Sequence, residues 1–223
     1  AERRVQRRNL PPDPAHQRKR PLAPPPATAQ TGRKGRLNFL YPLVHAAAGG
    51  VGMILCSWAK ALGATVIGTA GSTAKCAQAC AAGADACIDY NQPDWVNQVI
   101  AASGGRKARV VYDSVAQHTF MGSLDCAAPF GMVVLYGAAS GPAPTIDPEL
   151  LNKKGCLFLT RPSVFPHNAD PATFRANAAD VFAAMASGAI CAHIGARFGL
   201  QDVAQTHHAA QARQTTGSIL ILP

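Results

Sequence analysis

The stretch Leu43-Val44-His45-Ala46-Ala47-Ala48-Gly49-Gly50-Val51-Gly52 holds the residues with the clearest chemical purpose. An apolar strand runs directly into a glycine-rich turn, and the turn opens a helix. Ala47, Gly49 and Gly52 fall at the spacing of a G-x-G-x-x-G fingerprint, with alanine in place of the first glycine. At Gly49 the backbone would approach a pyrophosphate; at Gly52 helix and strand would pack closely. The helix N-terminus would then offer free N–H groups and the positive end of its dipole to the phosphates. The glycines alone are weak evidence, but strand, turn, helix and second strand together mark dinucleotide binding. The second strand, Thr65-Val66-Ile67-Gly68-Thr69, should end beside the adenine ribose. An NAD-preferring site carries Asp or Glu there, about 20 residues past the glycines. Here the text reads Ala70-Gly71-Ser72-Thr73-Ala74-Lys75, with no acid, two hydroxyls and a lysine. Ser72, Thr73 and Lys75 could hold a 2′-phosphate that an acid would repel. The site is therefore read as one for NADP(H), against the plainer alternative in which Lys75 is only an exposed helix lysine.

These residues need a frame to position them. Short apolar runs predict strands near 43–46, 65–69, 86–89, 109–113, 132–136 and 156–160. Ala-rich periodic stretches predict helices near 50–62, 73–82, 93–102, 117–127, 171–187 and 201–212. Strands alternating with helices of this length imply an α/β fold, a doubly wound, Rossmann-type parallel sheet. The first helix is expected to bury Val51, Leu55, Trp58 and Leu62. Asp170 should cap the helix at 171–187, with Pro171 at its first position and Gly188 at its end. Pro42 cannot donate to a sheet ladder, so the first strand should be short and start at Leu43.

The net charge of +9 is concentrated in the first 36 residues, where ten Lys and Arg face only Glu2 and Asp13. That segment also holds seven of the 17 prolines. With almost nothing apolar to bury, residues 1–42 are expected to form a disordered basic arm. A polyanion-binding arm is the functional alternative, but a charge block alone is a weak motif, and the segment is read as a solvated tail, or as one that does not belong to the fold, rather than as a nucleic-acid site. No apolar stretch follows the basic start, so it is not expected to act as a secretory signal. No apolar run reaches the ~18 residues of a membrane helix. Seven cysteines, none in a Cys-x-x-Cys pair, suggest free thiols in a reducing compartment, the cytoplasm. Cys76 and Cys80 share a helix face, and His207 and His208 diverge as helix neighbours; neither pair has the further ligands of a metal site.

The run from Leu43 to Pro223 resembles the zeta-crystallin-like quinone oxidoreductases of the medium-chain dehydrogenase/reductase superfamily. The resemblance rests on His45–Gly52, Trp58–Thr69, Ile88–Tyr90, Val111–Ser114, Ser123–Cys126, Ser140–Gly141, Leu157–Pro162 and Thr216–Pro223, in family order. It implies a zinc-independent, NADPH-dependent reductase of quinones or related enones. Gly49, Gly50 and Val51 would lie under the pyrophosphate, Ser72 and Lys75 would take the 2′-phosphate, and Tyr90 would lie by the adenine. Ser114 and Gly137 would line the cofactor groove. Phe158, Leu159 and Thr160 would approach the nicotinamide, and Arg213 would close on the cofactor. The strand at 156–161 would pair with its twin in a homodimer.

The resemblance also implies a preceding catalytic domain of over a hundred residues, where this sequence has 42 unrelated ones. The expected layout is an arm at 1–42, a dinucleotide-binding domain at 43–196, and a helix and strand at 197–223. The apolar segment Ser218–Leu222 is then expected to lack a strand partner. No residue suggests itself as a general acid. Three functions stay open: a reductase, an NADP(H)-binding dimerisation module without turnover, and a polyanion binder acting through the arm.

Overall fold

The computed structural model describes residues 41–212 and 215–223. The expected arm, apart from its last two residues, lies outside them, and so does Arg213. In chain order the elements are β1 (Pro42–Val44), α1 (Gly50–Ala61), β2 (Ile67–Ala70), α2 (Thr73–Ala81), β3 (Ala86–Asp89), α3 (Trp95–Ala102), β4 (Ala108–Asp113), α4 (Phe120–Cys126) and β5 (Ala127–Leu135). There follow α5 (Glu149–Lys153), β6 (Phe158–Thr160), α6 (Val164–His167), α7 (Pro171–Ala186), β7 (Ile194–Gly199), α8 (Val203–Gln211) and β8 (Ser218–Leu222).

Six strands form one sheet in the order β3-β2-β1-β4-β5-β6, every neighbouring pair parallel. This is the doubly wound fold the sequence implied. The side-chain period of two divides the core between the two faces. Leu43, Ile67, Val111 and Val133 point to one face, where Trp95 and Val99 of α3 and Phe120 and Leu124 of α4 cover them. Val44 and Val66 point to the other, under Cys56 of α1 and Ala79 of α2. β1 is buried throughout. Pro42 is its first residue, one earlier than expected, and pairs only with Val110 of β4. Its missing N–H is harmless at a strand start.

Two expectations need correction. The buried stripe of α1 is not Val51, Leu55, Trp58 and Leu62: Val51 and Leu62 are more than half exposed, and Gly52, Met53 and Cys56 are buried instead. The close approach at Gly52 to Ala46 and Ala47 sets which side of the helix faces the sheet, and Met53 and Cys56 lie on that side. Ser218–Leu222 does have a partner, because β8 pairs in parallel with β7. The run Ile194-Gly-Ala-Arg-Phe-Gly199 was not read as a strand, since its two glycines dilute the β signal. The short helices α5 and α6 were also missed. The caps of α7 are as expected: Asp170 accepts from the Thr173 N–H at 2.8 Å, Pro171 is the first helical residue, and Gly188 follows with φ +74°.

Candidate functional site

β1 and β4 are adjacent but lead to helices on opposite faces, which opens a crevice at their C-terminal ends. A cleft of about 240 Å³ lies there. The turn after β1 contributes Ala46, Ala48 and Gly49; the end of β2 contributes Ala70 and Gly71; Lys75 comes from α2 and Tyr90 follows β3. Val115, Ala139, Ala210 and Thr215 complete the wall.

The glycine turn is built by close approaches. Ala46 sits at φ +50°, and its carbonyl accepts from the Gly49 N–H at 2.9 Å. A Cβ on Gly52 would lie 2.2 Å from that carbonyl oxygen and 2.8 Å from Ala47 Cα, so only glycine fits. Gly49 caps α1 without a side-chain hydrogen bond, which leaves first-turn N–H groups for an anion. The C-terminal segment is tied to the same turn, since the Gly217 N–H donates to Ala48 O at 2.9 Å. Gly50 backs onto that segment, and a Cβ there would lie 2.9 Å from Ser218 Oγ.

At the other end, Ser72 Oγ caps α2 by accepting from the Lys75 N–H at 3.3 Å, so its own proton is available to a second acceptor. Gly71 lets Tyr90 lie close: a Cβ there would be 2.9 Å from the phenolic oxygen. Of the residues singled out from the sequence, Gly49, Lys75 and Tyr90 line the cleft. Ser72 stands beside Gly71 at the start of α2, whereas Thr73 and Val51 are exposed outside the wall. Ser114 and Gly137 are in contact, with a Cβ on Gly137 falling 2.6 Å from Ser114 O. Phe158, Leu159 and Thr160 form β6 at the sheet edge and line no part of the cleft. Sequence reasoning missed Ala46, Ala48, Ala70, Gly71, Val115 and Ala139, residues without a motif whose signal is only their place at or after strand ends, and Ala210 and Thr215, which α8 and the segment after it bring to the cleft. It also missed a wider cavity of about 740 Å³ past β5 and β6, lined by Tyr136, Arg161, Pro162, Ser163, Val164 and His167. There Arg161 donates to Leu135 O at 3.1 Å, and burial pushes the Tyr136 phenol up.

Beneath the cleft lies a fully buried polar cluster that sequence reasoning did not assemble: His45, Thr69, Asp113, Thr119 and Ser123. His45 contacts Thr69 Oγ1 at 2.7 Å and Ser123 Oγ at 3.0 Å, and meets the edge of Trp95. The Asp113 carboxylate accepts from Ser123 Oγ at 2.7 Å, from Thr119 Oγ1, and from the N–H groups of Val115 and Ala116. Burial pushes the His45 imidazole below its usual range, and the attraction of Asp113 offsets only part of that. The unfolded chain takes up this proton near pH ~6.5 while the folded chain does not. Stability from this group is therefore complete above ~6.5 and falls as the pH drops below it, by at most about 1.4 kcal/mol per pH unit. Urea melts at pH 7.5 and 5.5 should show a loss in the wild type that is smaller in His45→Gln; equal losses would contradict this.

The family model described as zinc-binding dehydrogenase matches residues 50–183. A quinone oxidoreductase of Pseudomonas aeruginosa is 42% identical over 181 residues, covering 81% of this chain and 56% of that protein. A 2-haloacrylate reductase of a Burkholderia species is 39% identical over 184 residues, covering 82% and 55%. Among solved structures, Escherichia coli quinone oxidoreductase complexed with NADPH superposes with a TM-score of 0.79 at 40% identity, covering 82% of this chain and 57% of that one. The chain spans a little over half the length of these relatives. The described residues do not fit a zinc ion, because no three His, Cys, Asp or Glu side chains among them converge on one point.

Proposed function

This chain belongs to the zinc-binding dehydrogenase family, and from that premise we propose that it binds NADP(H) in the cleft around Gly49 and serves a reductase of quinones or related electron-poor alkenes. One observation carries the proposal: a strand-end cleft with an uncapped glycine turn at one end and Lys75 and Tyr90, with Ser72 beside them and no acid in the wall, at the other. Gly49 and its neighbours would hold the diphosphate, and Ser72 and Lys75 the 2′-phosphate. Thr73 would assist them, Tyr90 would lie by the adenine, and Ser114 and Gly137 would flank the groove. The bound nicotinamide would supply the hydride; the chain's own part is to orient it and exclude water. Val51, Phe158, Leu159, Thr160 and Arg213 are proposed on family resemblance alone. NADPH oxidation on adding a simple quinone tests the reductase; binding without turnover would favour a nucleotide-binding module.

The charge at position 75 should set the cofactor preference. Lys75→Glu is expected to raise the dissociation constant for NADPH by about thirtyfold, since a hydrogen bond between charged groups contributes about 1.5–3 kcal/mol. NADH has no 2′-phosphate and should bind Lys75→Glu about as well as before. Fluorescence titration with both nucleotides reads this directly, and an unchanged NADPH:NADH ratio would remove Lys75 from the site.

β6 ends the sheet, with Phe158 58% exposed. An apolar strand at the edge of the sheet among the described residues invites pairing, so a homodimer through 156–161 belongs to the proposal. All seven cysteines are free, consistent with the reducing cytoplasm, and no described helix is long and apolar enough to cross a membrane.

A further inference from the structure

The buried cluster beneath the cleft has a fixed proton order. A carboxylate only accepts, so the single hydroxyl proton of Ser123 goes to Asp113 Oδ2 at 2.7 Å. Ser123 Oγ must then accept from His45 Nε2, 3.0 Å away, which requires the Nε2–H tautomer. His45 Nδ1 is left as an acceptor and takes the proton of Thr69 Oγ1 at 2.7 Å. The order runs one way: Thr69 to His45 to Ser123 to Asp113.

Three members of the cluster sit beside the loops that shape the cleft. His45 directly precedes Ala46, held at φ +50°, and Asp113 Oδ1 grips the N–H of Ala116, held at φ +70°. Both alanines occupy a left-handed conformation that any residue with a Cβ resists, and persist only where their surroundings fix them. Thr69 O accepts from the Ala47 N–H at 2.9 Å, which ties β2 to the glycine turn. Ala46 and Ala70, which follow His45 and Thr69, and Val115, whose N–H donates to Asp113, all line the cleft.

We propose that Thr69, His45, Ser123 and Asp113 form a positioning relay that holds the loops after β1, β2 and β4 in the shape the nucleotide needs, so that these buried residues set NADP(H) affinity without touching it. The proposal rests on the NADP(H) site proposed above.

Three measurements on the intact chain test it. Histidine-labelled ¹⁵N spectra, with His45 assigned through His45→Gln, should show a neutral Nε2–H imidazole at pH 7; an Nδ1–H tautomer would overturn the relay. Ser123→Ala breaks the middle link and should raise the NADPH dissociation constant about tenfold, with near-UV circular dichroism unchanged. Thr69→Val keeps the shape but removes the first donor, and should raise it about threefold. If Ser123→Ala does not fold, Thr69→Val and the tautomer decide. Folded variants that bind within twofold of the wild type would reduce the cluster to core packing and leave the cofactor site standing. A wild-type chain that binds no NADPH would overturn both the site and the relay.

Discussion

Gly52→Ala should destabilise the chain by about 3 kcal/mol or more, while Gly49→Ala, three residues earlier, should cost less than about 1 kcal/mol. Both add one methyl group to the same turn. At Gly52 the new Cβ would lie 2.2 Å from Ala46 O and 2.8 Å from Ala47 Cα, both backbone atoms of a turn already fixed to β2. No rotamer relieves such a contact; α1 would have to lift from the sheet and uncover Met53 and Cys56. At Gly49 the nearest atom would be Ala46 O at 3.2 Å, and φ is −80°, which any residue adopts. Urea midpoints of the two variants make the comparison, and equal shifts would mean that Gly52 does not seat the helix on the strand.

Asp113→Ala should be the other severe change, costing about 4 kcal/mol or more. Its carboxylate is fully buried and satisfies the N–H groups of Val115 and Ala116 at 2.9 and 3.0 Å and the hydroxyls of Thr119 and Ser123 at 2.8 and 2.7 Å. An orphaned buried donor costs about 1–3 kcal/mol, and the two backbone donors cannot turn to another acceptor. Asp113→Asn keeps the shape but points an amide N–H₂ toward groups that themselves donate, so an intermediate loss of about 2–3 kcal/mol is expected. Denaturant unfolding of both gives the order; losses below about 1 kcal/mol in both would contradict the hydrogen bonding described for Asp113.

Asp113 and Gly52 differ in how visible they were. Gly52 was legible because its reason is local: strand, turn and helix adjoin in sequence, and the fingerprint spacing records the close approach. The same holds for Asp170 and Pro171 at the start of α7. Asp113 lay unremarked inside the Val111–Ser114 stretch: its bonds to the Val115 and Ala116 N–H groups and to the Thr119 and Ser123 hydroxyls follow no recognisable spacing, and Ser123 joins it to His45 and Thr69 only once the sheet forms. The α1 stripe was misjudged because its phase was taken from Val51, Leu55, Trp58 and Leu62, whereas the close approach at Gly52 turns Met53 and Cys56 to the sheet. β7 escaped notice because Gly195 and Gly199 interrupt it, and the status of β8 was misjudged with it. Helix 117–127 was expected too early: Asp113 and Thr119 hold 115–119 in a turn, so α4 starts at Phe120. In the candidate site, Gly49, Lys75 and Tyr90 carried chemistry that could be named in advance. The alanines, Gly71, Val115 and Thr215 that form the rest of the wall belong to no motif, and only the topology assembles them.

Titration of the intact chain with NADPH, followed by its fluorescence and repeated with NADH and with adenosine 2′,5′-bisphosphate as competitor, bears most directly on the cleft around Gly49. The expected result is saturable NADPH binding, displaced by the bisphosphate and at least about tenfold tighter than NADH binding, as a charge-assisted phosphate contact requires. Absence of saturable NADPH binding would contradict it.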